Sequence, residues 1–431
     1  MTKGIILSSD RSGSGKTLIS SGIMMALSRR MRVAPFKVGP DYIDPGYHRL
    51  ATGEWSANLD LWLMGEEEVK RAFVRYSRGK DVAIVEGVMG LYDGVGLKYS
   101  TYEVSEVLKL PIVLIVNCSN VSSTASAIIH GLKTFRNARV VGVIFNMVGS
   151  EKHYNYCKEG LEGVKTLGYV PYSKDLKVPS RHLGLHLAEE NREALEAVRR
   201  ASELVEANVD LDSLVELAEE ARAPEDDVEN GRREGGKKGK AAVAYDHAFS
   251  FYYRDNLELL REKYDLTFFS PLRDESVEDA DLIYLGGGYP ELHLEELERN
   301  TTTKRWLLKS AEEGRTVIAE CGGMMYLAKE IVDSRGYRMV GLFDMTVRAK
   351  DKLTIGYTLL EALRDSPLGR AGERIRGHEF HYSVVTDPGQ TRFALRNVLG
   401  KGIWDSLDGA LEYNAIATYS HFYFRASPLL L

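Results

Sequence analysis

Short, almost wholly apolar runs punctuate the first half of the chain: Gly4–Ser8, Val33–Val38, Val82–Glu86, Ile112–Asn117 and Val140–Asn146. Each is strand-length and rich in Val and Ile, which predicts strands buried on both faces. Between them lie amphipathic stretches such as Thr17–Arg30, where Leu18, Ile19, Met25 and Leu27 are interspersed with small and polar residues. Strand–helix alternation of this kind predicts an α/β fold with a doubly wound, mostly parallel sheet. Helical patterning over Arg192–Ala221 closes this first region. Residues 223–240, APEDDVENGRREGGKKGK, then lack nearly every apolar side chain. Such a segment cannot bury a core and predicts a linker. The alternation resumes with Ala241–Tyr245, Leu266–Phe269, Asp281–Leu285 and Thr316–Ala319. The expected organisation is two α/β domains, 1–222 and 241–431, joined by a charged linker at 223–240.

Composition narrows the class without changing that picture. A chain of 431 residues with 44% hydrophobic and 27% charged residues has enough material for two full cores. A net charge of −6 gives no reason to expect nucleic acid or an anionic membrane as partner. No apolar run approaches the roughly 20 residues needed to span a bilayer, and the first strand begins too early for a signal peptide. A cytoplasmic location is expected. The cysteines, Cys118, Cys157 and Cys321, are widely spaced, which argues against a disulfide framework or a zinc site.

Candidate chemistry first appears in GIILSSDRSGSGKT, residues 4–17. A strand runs into a glycine-rich turn, and Gly15-Lys16-Thr17 opens a helix, as in a phosphate-binding P-loop. The generic G-x-x-x-x-G-K-[ST] pattern has glycine where this chain has Asp10, but its functional end is intact. Gly13 and Gly15, with Ser12 and Ser14, would turn backbone N–H groups towards phosphate oxygens. Lys16 would neutralise the β- and γ-phosphates, and the Thr17 hydroxyl would ligate Mg²⁺. Asp10 should point away from the phosphates, since facing them it would repel ATP. Asp41 and Asp44, in KVGPDYIDPGYH, and Glu86 follow or end strands. Ligands of open parallel sheets bind at those carboxyl ends. Asp41, Asp44 and Glu86 are therefore expected to converge with Lys16 and Thr17 on Mg-ATP, with Thr17, Asp41 and Glu86 as metal ligands. Asp60, in WSANLDLW, suits a helix cap equally well.

The second half carries a different constellation. TVIAECGGMMYL reads as a strand, a sharp turn at Cys321 and a helix. That setting predicts an exposed sulfur with a lowered pKa near a helix N-terminus. Gly322 permits the turn, and the triple glycine of ADLIYLGGGYPELH, Gly287 and Gly288 included, can offer N–H groups to an oxyanion. A base is needed, and His378, His381 and His421 are the candidates. Cys118 reads as a packing residue.

Taken together, SGSGKT, FKVGPDYIDP, NLDLW, VEGVMGLYDG, PSRHLGL, AFSFYYRDNLELL, FSPLRDE, GGGYPEL, AECGGMMYL and RGHEFHYS, in this order, closely resemble the cobyrinic acid a,c-diamide synthase family over nearly the whole chain. The resemblance implies a dethiobiotin-synthetase-like P-loop domain followed by a flavodoxin-like, class I-type glutamine amidotransferase domain. ATP and L-glutamine would be co-substrates, with Mg²⁺. A tetrapyrrole, cobyrinate, would gain amides on its a and c acetates through a phosphorylated carboxylate. By this match Cys321 is the nucleophile on glutamine, His421 its base, and Gly287, Gly288 and Gly322 line the oxyanion. Gly13, Ser14, Gly15, Lys16, Thr17, Asp41, Asp44 and Glu86 carry the ATP site. Many class I amidotransferases place Glu two residues after the histidine; this chain has Tyr423 there, which leaves the third member of the triad open. Nickel-sirohydrochlorin is the alternative substrate, since its a,c-diamide synthase shares these motifs, and a homodimer is the assembly to look for. The first half also resembles P-loop partitioning ATPases, but a nucleotide switch has no use for a glutaminase.

Overall fold

The computed structural model describes residues 2–174, 176, 192–224 and 236–427. The chain divides into two compact units, residues 1–229 and 230–431. PSRHLGL and most of the expected linker lie outside the described residues.

In the first unit the elements run β1 (Lys3–Ser9), α1 (Lys16–Ser28), β2 (Val33–Val38), α2 (Asp44–Thr52), β3 (Ala57–Leu59), α3 (Leu61–Ser77), β4 (Val82–Glu86), α4 (Thr101–Leu108) and β5 (Ile112–Asn117). There follow α5 (Thr124–Thr134), β6 (Val140–Val148), α6 (Glu151–Cys157), β7 (Lys165–Pro171), α7 (Arg192–Asn208), α8 (Leu211–Glu216) and β8 (Glu219–Glu220). Strands β3-β2-β4-β1-β5-β6-β7 form a parallel sheet in that order. The expected strands recur with ends shifted by two residues at most, because wholly apolar runs can only be satisfied with both faces covered. Strand β1 sits where the order reverses, so the turn after it opens into the crevice at the carboxyl ends of the sheet. Pairing of β5 with β1 begins only at Ile6, which leaves Lys3 and Gly4 to pair antiparallel with β8. The Arg192–Ala221 region is therefore two helices and a short strand rather than one helical run. Helix α1 meets α7 at Gly22, where a Cβ would lie 2.8 Å from the Ala201 carbonyl carbon; only glycine lets the helices approach this closely.

The second unit contains β9 (Lys240–Ala244), α9 (Arg254–Lys263), β10 (Asp265–Phe269), β11 (Leu282–Leu285), α10 (Leu294–Arg299), α11 (Thr302–Glu312), β12 (Thr316–Glu320), α12 (Gly322–Leu327), β13 (Ala328–Val332), β14 (Gly336–Arg338) and β15 (Phe343–Arg348). It continues with β16 (Thr354–Ala362), β17 (Arg374–His381), β18 (Val384–Asp387), β19 (Arg392–Leu399), β20 (Leu407–Glu412), β21 (Ala415–Thr418) and β22 (His421–Phe422). The main sheet runs β10-β9-β11-β12-β21-β20-β19-β16-β17-β22, and a second sheet runs β14-β13-β15-β18. The first five strands of the main sheet are parallel, and the rest extend it antiparallel. This antiparallel half has no counterpart among the expected strands. Its longer members mix buried with exposed positions, as in the eBeBBBiB pattern of β17, so no apolar block marks them. Among the described residues, no helix is long and apolar enough to cross a membrane.

Candidate active sites

The turn between β1 and α1 adopts the expected cradle. Gly13 and Gly15 have φ of 75° and 86°, values that glycine alone adopts without strain. A Cβ on Gly15 would lie 2.4 Å from Asn146 Nδ2, and that same amide donates to Ser14 O at 2.7 Å. Asn146, at the end of β6, thus holds the loop, a contact across 132 residues that local patterning could not reveal. The Ser14 side chain is buried, and among the described residues its Oγ has no hydrogen-bond partner, an orphan that a phosphate oxygen would satisfy. Lys16 is buried as well, and its pKa is lowered first by desolvation and then by the neighbouring Lys37 cation. The Asp10 carboxylate is taken up by Arg11 at 2.8 Å.

Strands β1, β2 and β4 deliver the remaining groups. Lys37 is buried at 2% side-chain exposure and donates to Asp44 Oδ2 at 2.5 Å, Glu86 Oε1 at 3.1 Å and Gly87 O at 3.0 Å. Burial pulls its pKa down, but Asp44 and Glu86 outweigh that and leave a net rise. Glu86 is pushed up by burial and pulled further down by Lys37 and His48, so it stays ionised. His48 Nε2 lies 2.6 Å from Glu86 Oε2 and its Nδ1 2.9 Å from Ser56 Oγ. Thr17 Oγ1 donates to Glu86 Oε1 at 3.0 Å. Asp44 is pushed up to about 6 by burial and by Asp41 beside it. Asp41 Oδ1 accepts from the Ile43 and Asp44 amides at 2.8 and 3.0 Å. Thr17, Asp44 and Glu86 are thus joined through Lys37, with Asp41 and Lys16 within electrostatic reach. Lys37 and His48 were not among the sequence candidates, because a lysine inside an apolar run reads as a solvated strand end. Asp60 takes the capping role, accepting from Leu63 N at 2.8 Å.

In the second unit, Cys321 stands between β12 and α12 at φ 47°, ψ −102°, a strained backbone of the kind expected at a nucleophile turn. Two expectations for it need correction. The sulfur is not exposed: Cys321 is 3% accessible, and its Sγ–H donates to Phe380 O at 3.6 Å. Its pKa is not lowered either. Burial pushes the thiol well up, the Glu291 carboxylate adds to the rise, and the Gly322 amide only partly opposes them. The following helix has six residues, too few for much of a dipole. Glu291, from GGGYPEL, is itself pushed up to about 7 by burial.

The glycines around the turn have a packing purpose. A Cβ on Gly323 would lie 2.4 Å from Leu285 O, and one on Gly322 would lie 2.9 Å from Pro290 Cδ and 3.0 Å from Gly288 N. Gly323 N donates to Gly286 O at 3.0 Å. The triple glycine and the cysteine turn are therefore pressed backbone to backbone. A Cβ on Gly287 would lie 2.4 Å from His421 Cε1. On the amidotransferase function that the resemblance implies, Gly287→Ala should displace the His421 ring and lower glutaminase turnover by about 10²-fold, the usual cost of an ångström-scale misplacement. Steady-state glutamine hydrolysis checks this, and a change under threefold would refute it.

The three candidate bases differ in their surroundings. Glu320 aligns with Thr418, and Cys321 N donates to Thr418 O at 2.7 Å. His421, three residues further on, is completely buried. Strand β22 pairs His421 directly opposite His378 on β17, and their rings stack at 5.0 Å and 15°. His378 Nε2 is engaged by Tyr253 OH at 2.6 Å. His381 turns its Nδ1 to Ser383 O at 2.8 Å and stacks on Tyr419. Burial drives both His378 and His381 below the ordinary imidazole range, the latter to about 4.

Comparison with known proteins adds the family context. Residues 5–185 match the CobQ/CobB/MinD/ParA nucleotide binding domain, and residues 240–429 match the CobB/CobQ-like glutamine amidotransferase domain. The cobyrinate a,c-diamide synthase of Sulfurisphaera tokodaii is 55% identical, covering 99% of this chain and 98% of that one. The corresponding protein of Saccharolobus solfataricus is 53% identical over 98% of both chains. That of Sulfolobus acidocaldarius is 51% identical over 99% of this chain and 98% of its own.

Proposed function

The chain belongs to the cobyrinate a,c-diamide synthase family, and from that premise we propose how its two units divide an ATP-dependent, glutamine-hydrolysing amidation of the a and c acetates of cobyrinate. The observation that carries the reading is the pairing, in one chain, of a buried phosphate cradle at Gly13–Thr17 with a strained cysteine turn whose strand neighbours the one leading to His421.

In the first unit a substrate carboxylate oxygen attacks the γ-phosphorus of ATP, the bond to the β-phosphate oxygen breaks, and ADP leaves. The product is an acyl phosphate. This step converts a carboxylate, a poor electrophile, into one with a good leaving group. Lys16 and the backbone amides of Gly13, Ser14 and Gly15 hold the phosphates; positioning and charge stabilisation supply most of the catalysis in such transfers. Lys37, whose three hydrogens go to Asp44, Glu86 and Gly87 O, fixes those two carboxylates beside the cradle. Ammonia then attacks the acyl carbon and inorganic phosphate departs.

Magnesium fits this cradle. Thr17 Oγ1 gives its hydrogen to Glu86 and so keeps its lone pairs for a cation, and Asp41 spends Oδ1 on amides. Hard oxygen donors in small number suit Mg²⁺, which retains water and phosphate ligands. Thr17 and Asp41 would hold the ion, with Glu86 beside Thr17, and it would supply charge neutralisation at the phosphate oxygens.

In the second unit Cys321 Sγ attacks the glutamine amide carbon as His421 accepts the thiol proton. The oxyanion is met by the amides of Gly287, Gly288 and Gly322. His421 returns the proton to the departing ammonia, and water hydrolyses the thioester to glutamate. Because burial holds the thiol protonated, proton transfer must accompany attack rather than precede it.

The test is mass spectrometry of products made with ATP, Mg²⁺ and glutamine from cobyrinate and, separately, from nickel-sirohydrochlorin. Cobyrinate should gain two amides. If only nickel-sirohydrochlorin did so, the substrate assignment would pass to the nickel tetrapyrrole.

A further inference from the structure

The residue two positions after His421 is Tyr423, which cannot serve as the carboxylate that orients an amidotransferase histidine. A different carboxylate occupies that place. Glu320, the last residue of β12 and the one immediately before the nucleophile, is 1% exposed. Its Oε2 lies 3.5 Å from His421 Nδ1 and accepts from Tyr284 OH at 2.9 Å, while Oε1 accepts from Phe422 N at 3.2 Å. Among the described residues no lysine or arginine pairs with Glu320. A carboxylate buried this deeply without a cation is hard to justify by stability, since an apolar residue of similar size would cost less.

We infer that Glu320 is the positioning carboxylate of His421, supplied by the strand that carries the nucleophile instead of the segment that carries the histidine. With Nδ1–H directed at Glu320, Nε2 is left as the proton acceptor for Cys321. The imidazolium that forms as the thiol loses its proton then stands beside a negative charge in a water-poor interior, where that charge counts most. At 3.5 Å the contact is an ion-pair separation, longer than a hydrogen bond, and charge on the imidazolium would draw the two groups together. Tyr284 and the Phe422 amide fix the carboxylate in place, and the β12–β21 register brings it to the histidine. Other titratable groups around the pair are Cys321, Tyr252, which feels the Glu320 charge, His381, which is within electrostatic reach of His421, and His378, which stacks on His421 with Tyr253 behind it.

The inference rests on the amidotransferase reading of Cys321, so the test separates the two. In the full chain, Glu320→Gln should lower glutaminase kcat by about 10²-fold or more, within the roughly 10⁴-fold loss seen when a serine-protease triad carboxylate is made an amide. The glutamine KM should stay within about threefold, because Glu320 does not face substrate. Loss of the negative charge disfavours protonated His421, so the acid limb of the kcat/KM profile should move to lower pH. Tyr284→Phe should move the same limb to higher pH, since it removes a hydrogen bond that disperses the Glu320 charge. A purely structural role for Glu320 predicts no such opposed shifts. If Glu320→Gln retains kcat within threefold with its acid limb unmoved, the inference is wrong. Should Glu320→Gln not fold, an unmoved limb in Tyr284→Phe overturns it equally. Cys321→Ser, run alongside, must abolish glutaminase; if it does not, the amidotransferase reading fails first.

Discussion

Cys321→Ser is expected to lower glutamine-dependent amidation by at least about 10³-fold while amidation fed with ammonium salts continues. The argument begins with the thiol's surroundings. Burial and the Glu291 carboxylate raise its pKa, so on the proposed mechanism attack needs His421 to take the proton from sulfur. A serine hydroxyl in the same pocket is far less acidic, and desolvation would raise the barrier further. The strained backbone at φ 47° belongs to the turn and would persist in the variant, so the loss would report chemistry and not misfolding. Ammonia from solution bypasses the cysteine, since the acyl phosphate is made in the first unit. Product formation with glutamine and with ammonium salts, measured side by side, checks the prediction. Retention of glutaminase, or loss of both activities in a folded protein, would contradict the division of labour.

Lys37→Met should destabilise the first unit by about 3–5 kcal/mol, the cost typical of removing one partner from a buried ion pair. Lys37 is the cation between Asp44 and Glu86, with both contacts within 3.1 Å and a third to Gly87 O. Methionine matches the stem in volume, so the cavity contribution is small, and the penalty comes from a buried and a half-buried carboxylate left without their cation. Glu86 keeps His48 and Thr17, and Asp44, already pushed up to about 6, would take up a proton and absorb part of the loss. Denaturant unfolding at neutral pH measures the effect. Adding Glu86→Gln to Lys37→Met should recover part of it, because the two changes act on one network and are not additive. A cost under about 1 kcal/mol would mean that the cluster is solvated and the pairing contributes little.

Legibility of these sites followed how local their causes are. The cradle at Gly13–Thr17 was readable because its glycines, its lysine and the helix it opens are contiguous. The same holds for the turn at Cys321, where strand, glycines and helix are adjacent in the chain. What failed there was the environment: whether a thiol is exposed depends on Phe380 and Glu291, which arrive from other elements. The proposal of His421 over His378 and His381 rests on the family resemblance, and the cross-strand register that sets the two rings of His421 and His378 face to face was not legible in the sequence. The antiparallel half of the second unit's main sheet went unread because half-exposed strands lack the apolar blocks that mark buried ones.

Order along the chain thus settled the class of chemistry: a phosphate cradle and a strained thiol turn, each specified within a dozen residues by backbone freedom and side-chain type. Tertiary structure alone decided which groups complete those sites. Lys37 meets Glu86 because β2 lies beside β4, Asn146 reaches Ser14 from β6, and Glu320 meets His421 because β12 lies beside β21. Parallel strands pair with partners far away in sequence, so the charge beside a catalytic group is fixed by sheet order, which no local pattern encodes.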